Sequence, residues 1–134
     1  MQQGLILVSK VELELKGMDE VLKRLEEMGR KGNTVANRAL KKGAEPILKE
    51  MKTLVPVDTG KGAHSLKIGN ISTKKGFKSI PIGLVDVGDA YYLIFQEYGT
   101  SKMQAQPFMA PAYEKNKDKA RKIIVDEIRR GLGL

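Results

Sequence analysis

One short triplet, Asp58-Thr59-Gly60, has the residue types of a catalytic loop. Aspartic proteases use this triplet twice, so that two facing carboxylates share a proton and activate a water molecule. A chain of this length would have to dimerise to supply the second loop. Pro56 and the flanking Lys61-Gly62 do not provide the apolar strand that buries such a pair. The residues therefore favour a turn in which Asp58 and Thr59 hydrogen-bond to the backbone.

The other residues that could do chemistry stand alone. His64 is the single histidine, and without cysteine or clustered carboxylates it predicts neither a zinc site nor a catalytic triad. The glycines of Gly83–Gly88 are spaced wrongly for a dinucleotide-binding loop. Glu97 is one carboxylate without an obvious partner. The sequence therefore predicts a protein that is not an enzyme and holds no metal or cofactor.

Composition limits the fold and the compartment. A length of 134 residues suits one domain, here expected over residues 1–134. Aromatic residues make up only 5%, so the core is expected to be aliphatic, and the absence of cysteine fits a cytosolic or virion protein. No apolar run reaches the roughly 20 residues of a membrane span. The segment Leu5–Val8 is too short for a signal sequence and is interpreted as the start of a strand.

The basic residues are unevenly distributed along the chain, whose net charge is +8. No acid lies between Asp58 and Asp86, and a basic strip in this stretch contains Lys61, Lys67, Lys74, Lys75 and Lys78. Such a strip attracts a phosphate backbone or an acidic protein surface, whereas the alternative is a solvated loop that lysine keeps soluble. Because Phe77 is the only aromatic among these lysines, base stacking has little support.

Periodicity predicts a strand and two helices in the first half. Residues 10–16 alternate strictly between apolar and charged, which indicates a strand with one wet face. Asp19 is expected to cap a first helix that Gly29 and Gly32 close. A longer helix is expected from Asn33 or Thr34 to about residue 53. Its apolar stripe and its small residues are Ala36, Ala39, Leu40, Ala44, Ile47 and Met51, with possible breakers at Gly43 and Pro46.

The second half predicts a strand pair and a final helix. Residues 66–73 and 78–87 suit two strands joined by a turn at 74–76, and Pro81 favours an edge position or a bulge. Residues 90–98 fit either a short helix or a strand. A last amphipathic helix is expected to begin near Pro111. The predicted fold class is α+β: a small, mostly antiparallel sheet packed against the long helix and the C-terminal helix.

Most of the aromatic residues fall between positions 91 and 108: Tyr91, Tyr92, Phe95, Tyr98 and Phe108. Some of them are expected in the core, and others could anchor an interface, where Tyr and Phe are enriched. The polar stretch 101–106 lies between two of these aromatics. It is a candidate for a loop that becomes ordered against a partner.

Several pieces of the chain, in their order and spacing, carry a family resemblance. They are Gly17 before a helix, the Ala-rich helix, Pro56-Val57-Asp58-Thr59-Gly60 with Ser65, the segment from Tyr91 to Glu97-Tyr98-Gly99-Thr100, Lys102-Met103, Ala105, Pro107-Phe108, Pro111-Ala112 and the C-terminal amphipathic helix. Together they resemble the small tail-completion proteins (head–tail joining, or minor tail component) of long-tailed phages and prophages, over nearly the whole chain. One departure is that Gly62 and Ala63 stand where members usually have a Leu-Arg pair.

The resemblance implies a structural role at the neck or tail end of the virion, after a stage in the bacterial host cytoplasm. It implies other phage neck and tail proteins as partners, homo-oligomeric rings around a DNA channel, and a basic face that could contact DNA. The interface or loop-shaping residues would be Pro56, Asp58, Thr59, Gly60, Ser65, Tyr91, Glu97, Tyr98, Gly99, Thr100, Pro107, Phe108 and Pro111. The alternative function is a sequence-independent DNA-binding protein of a prophage element.

Overall fold

The computed structural model describes residues 10–14, 19–55, 66–74, 77–84, 97–99, 101, 104–105 and 107–133. In chain order the elements are β1 (Lys10–Glu14), α1 (Asp19–Glu27), α2 (Arg30–Leu54), β2 (Lys67–Ile68), β3 (Ser72–Lys74), β4 (Phe77–Gly83) and α3 (Met109–Leu132). The four strands form one antiparallel sheet, and α2 and α3 are the two long helices. The predicted α+β class is therefore confirmed.

The sheet is organised around β4, which pairs with β1 on one side and with β2 and β3 on the other. Leu13 of β1 lies opposite Ile80, and both side chains are buried. Glu12, next along β1, is only half-buried and lies on the other face, as the predicted alternation requires. The predicted strand pair is also confirmed, although its first strand is divided into β2 and β3.

Pro81 lies in the central strand, so the predicted edge position is wrong, but a bulge lies beside it. The backbone N–H of Gly69 donates to the Pro81 carbonyl at 2.9 Å, and Ser72 pairs with Ser79. Two residues, 70 and 71, therefore lie opposite the single residue Ile80. In an antiparallel strand, the N–H and C=O of one residue point to the same side. A backbone N–H at position 81 would therefore point toward the bulge, where the regular hydrogen bonding is already interrupted, so the sheet tolerates a proline there.

The boundary between α1 and α2 differs from the sequence prediction. Gly29 is the N-cap of α2, with a φ of 63°, and the helix begins at Arg30 rather than at Asn33 or Thr34. Thr34 does not cap the helix; its Oγ1 donates back to the Arg30 carbonyl at 3.1 Å. Gly32 lies inside α2, where an added Cβ would sit 1.9 Å from the Leu25 carbonyl oxygen. This glycine therefore allows α2 to start against the backbone of α1.

The helices α2 and α3 pack tightly against each other. A Cβ on Gly43 would lie 2.7 Å from Ile124 Cγ1, and one on Gly131 would lie 2.6 Å from Val35 Cγ1. Because the early part of α2 meets the end of α3, the two helices are antiparallel. The small residues predicted to allow close approach are all buried, namely Ala36, Ala39 and Ala44. The helix α2 continues through Gly43 and Pro46, the two predicted breakers.

The described core is mainly aliphatic, as predicted. Its largest fully buried apolar side chains are Leu40, Ile47, Met51, Leu66, Ile80, Ile82, Leu84 and Ile124, together with one aromatic, Phe108. These side chains come from α2, α3 and one face of the sheet, so the core lies between the helix pair and the strands. No helix within the described ranges is long and apolar enough to cross a membrane.

Gly32→Ala is expected to lower the free energy of unfolding by about 1–3 kcal/mol, because the new methyl group would collide with the backbone of Leu25. An alanine at an ordinary helix position would instead be more stable than glycine by roughly 0.5–1 kcal/mol. Asn33→Ala, at the next and exposed position, is the control and should be neutral or slightly stabilising. Urea denaturation of both variants checks the expectation, and a stabilised Gly32→Ala protein would contradict it.

Candidate functional site

The side chain of Glu97 caps the N-terminus of α3. Its Oε1 accepts hydrogen bonds from the backbone N–H groups of Phe108 at 2.7 Å and Met109 at 2.8 Å, and its Oε2 accepts one from Ala110 at 3.0 Å. The carboxylate, with 6% of the residue exposed, therefore does have partners, which the sequence did not reveal. A negative charge at this position also complements the helix dipole.

This arrangement leaves no free donor in the first turn of α3. A helix normally starts with four N–H groups that lack partners inside the helix. Three of them bind Glu97, and the fourth position is Pro111, which has no N–H. The next N–H, of Ala112, donates to the Phe108 carbonyl at 3.3 Å and starts the helical pattern. The helix end is thus satisfied without any cap from the Phe108 side chain.

Glu97 and Phe108 are the two ends of a loop, here called the 98–107 loop. Within it Tyr98 is 44% exposed, and residues 101, 104, 105 and 107 are also exposed. Gly99 has a φ of 78°, in the left-handed region that glycine adopts without strain. Thr100, Lys102, Met103 and Gln106 lie outside the described residues. The described part of the loop is therefore presented to solvent above a buried, hydrogen-bonded base.

Phe108 is fully buried inside the chain, at 0% exposure. It belongs to the same core cluster as Leu40, Ile47 and Ile124. The sequence leaves open whether this ring packs in the core or anchors an interface, and its burial matches packing within the subunit. Tyr98 is the aromatic that remains at the surface of the described loop.

Many of the predicted site residues lie outside the described ranges: Pro56, Asp58, Thr59, Gly60, Lys61, Ser65, Lys75, Tyr91 and Thr100. Their roles stay predictions. Of the predicted interface residues, the structure brings together Glu97 and Phe108 directly. Tyr98 and Gly99 follow Glu97 in the loop, and Pro107 precedes Phe108. Pro111 lies in the first turn of α3.

The basic strip does not form one surface in the part that is described. Lys67 is exposed and lies opposite Gly83, whereas Lys78 is opposite Thr73. Because residues 78 and 83 are an odd number apart on β4, these two lysines lie on opposite faces of the sheet. Lys78 also donates from Nζ to Asn37 Oδ1 at 3.1 Å. The side chains of the other three lysines of the strip are outside the description, and contact of the strip with DNA stays a prediction.

The described residues form no arrangement typical of catalysis. They contain no group of three or more His, Asp or Glu side chains that could hold a metal ion.

A groove of about 340 Å³ lies beside the corner between α1 and α2, and it is lined by Leu25, Glu26, Gly29, Gly32, Asn33, Ala36, Thr73 and Lys78. On the surface of α3, Glu114 accepts a hydrogen bond from Lys117 at 3.1 Å, and this contact raises the pKa of Lys117 above its usual value.

The fold and the loop together define a small α+β protein whose described residues present a supported loop. Residues 19–99, more than half of the chain, match the family model HK97-gp10_like, described as "Bacteriophage HK97-gp10, putative tail-component". The chain belongs to this family of phage tail components, and the predicted family resemblance is confirmed. Neither the curated proteins nor the solved structures contain a match to this chain.

Proposed function

We propose that this tail component acts at the neck or tail end of the virion, where it completes the tail or joins it to the head. It works there without catalysis, as a subunit of a ring-like homo-oligomer that also contacts other neck and tail proteins. The observation that carries the proposal is the 98–107 loop in a chain of the tail-component family. This loop is held at its base by Glu97 and exposes Tyr98 to solvent.

The geometry of the loop base favours a docking role. Ordering a loop on binding costs conformational entropy, and this cost is smaller for a loop whose ends are already fixed. Both ends of this loop are fixed in the free subunit, because three N–H groups of the α3 start bind one carboxylate. Tyrosine is enriched at interfaces, since it offers a large apolar body and a hydroxyl group. The turn from Pro56 to Ser65 is proposed as a second contact region.

Electron microscopy of an induced lysate from a strain that lacks this gene tests the proposal. Full heads beside separate tails, or tails of abnormal length, are the expected result. Normal and infectious particles would overturn the assembly role. Complementation with the wild-type gene should restore joined particles. This control shows that the defect comes from the loss of this chain.

Tyr98→Ala is expected to reduce complementation at least tenfold while lowering the melting temperature by only a few degrees, because Tyr98 is 44% exposed and belongs to no buried cluster. Leu54→Ala is the matched control, since Leu54 at the end of α2 is the other exposed large hydrophobic residue in the described part of the chain, at 39% compared with 44% for Tyr98. It should complement like the wild type. Phage titre and thermal melting of both variants decide the matter. Equal titres for the two would remove Tyr98 from the interface.

A further inference from the structure

The outer face of α2 carries a continuous row of cations. Lys31, Arg38, Lys42 and Lys49 are all exposed and follow one another at intervals of seven, four and seven residues. Such intervals place side chains on one side of a helix. We call this row the α2 basic face. Lys41 and Lys52 are exposed on one flank of it, and Glu45 is the one exposed acid in α2.

Among the described residues, none forms an ion pair with these four cations. In the described part of the chain, the ion pairs are Lys115–Glu50, Lys117–Glu114 and Arg130–Glu127, and all three use a cation of α3. The second acid of α2, Glu50, is therefore directed to α3, at 3.3 Å from Lys115 Nζ. None of the four residues of the α2 basic face belongs to these pairs. Their positive charge is available to a partner.

The α2 basic face lies on one continuous helix and is firmly supported. The opposite side of the helix is in the core, where Leu40, Ile47 and Met51 are fully buried. From Lys31 to Lys49 the helix rises by about 27 Å, at 1.5 Å for each residue. One turn of B-form DNA is about 34 Å long. A row of this length, lying along one side of the duplex, is long enough to reach phosphates on both sides of the major groove, which is about 12 Å wide.

We propose that the α2 basic face binds the phosphate backbone of duplex DNA without regard to sequence. Phosphate contacts need only well-placed cations, and counterion release supplies their free energy. An acidic protein partner would instead be expected to use an apolar centre with aromatic or aliphatic anchors. The face has no aromatic residue, and the buried apolar residues of α2, such as Leu40, Ile47 and Met51, lie on the opposite side of the helix. The inference concerns α2 alone and holds whether or not the chain completes tails.

The test is fluorescence anisotropy of the full-length protein with a labelled 30-base-pair duplex, titrated over a range of NaCl concentrations. The variant Arg38→Gln/Lys42→Gln removes two cations from the middle of the face. The control Arg121→Gln/Lys122→Gln removes the same two types of cation from exposed positions on α3. A third variant, Glu45→Gln, removes the acid that lies among the cations of the face.

Each phosphate contact contributes about 0.9 to the slope of log affinity against log salt concentration. The α2 variant is therefore expected to reduce that slope by about 2, whereas the α3 control leaves it unchanged. Glu45→Gln should tighten binding at low salt, a gain that poor folding cannot produce. A wild-type protein that binds no duplex even at low salt overturns the proposal and leaves an acidic protein as the partner of this face. Equal losses in the α2 and α3 variants also overturn it.

Discussion

Glu97→Gln is expected to lower the free energy of unfolding by about 3 kcal/mol, since it removes a buried charge that accepts three hydrogen bonds. The carbonyl oxygen of the amide can still serve Phe108 and Met109, but its NH₂ group would face the N–H of Ala110. Two donors would then oppose each other at the first turn of α3. The loss of negative charge near the helix dipole adds to the effect. Urea denaturation followed by circular dichroism measures it.

Glu114→Gln is the matched control, because it makes the same change on the exposed surface of α3. Its partner there is Lys117, and an exposed ion pair contributes little to stability because solvent screens it. A Glu97→Gln protein as stable as the control would show that the carboxylate is not needed at the helix start. Hydrogen exchange adds a local test, since the amides of Met109 and Ala110 should lose protection before the rest of α3 does.

The role of Glu97 could not be predicted from the sequence because its partners are distant along the chain. Sequence rules for helix starts look for a polar residue at the N-cap and an acid three residues later. Here the N-cap position is Phe108, and the capping acid is eleven residues upstream. The one local signal was Pro111, which is compatible with a helix start and was used to place α3 there.

The helices and strands themselves were largely predictable from periodicity, and the errors have physical causes. The apolar stripe of α2 predicts its core face correctly, but the sequence favours a helix start at Asn33 or Thr34 because these side chains commonly cap helices. The helix begins at Arg30, after the N-cap Gly29, and this start depends on the close approach of Gly32 to the Leu25 backbone, which only the packed structure shows. Likewise, the predicted edge position of Pro81 was wrong because a neighbouring bulge removes the need for its N–H.

The distribution of charge is another case in which proximity along the chain was a poor guide to proximity in space. The basic strip was grouped by sequence, yet Lys67 and Lys78 lie on opposite faces of the sheet. The cations of α2 are spread over nineteen positions from Lys31 to Lys49, but they share one face of a helix. Helical periodicity was therefore the better signal, and it was present in the sequence.

Phe108→Ala is expected to lower the free energy of unfolding by about 3–5 kcal/mol, the usual cost of emptying the space of a buried aromatic ring. The ring is at 0% exposure among aliphatic side chains of the core. Phe108 is also the N-cap of α3, so the cavity would adjoin the helix start that Glu97 holds. Phe108→Leu should cost much less, about 1 kcal/mol, because leucine fills most of the space. Chemical denaturation of the two variants checks both values.

The same pair of variants separates a core role for Phe108 from a role at the interface. If the ring acts only inside the subunit, Phe108→Leu should complement assembly like the wild type, because the supported loop above it is preserved. Phe108→Ala should then complement at a temperature low enough for the protein to remain folded, and fail when the protein unfolds. A Phe108→Leu protein that is stable yet fails to assemble particles would instead show that a partner contacts the aromatic ring itself. Assembly would then require Phe108 to leave the core, against the burial seen in the free subunit.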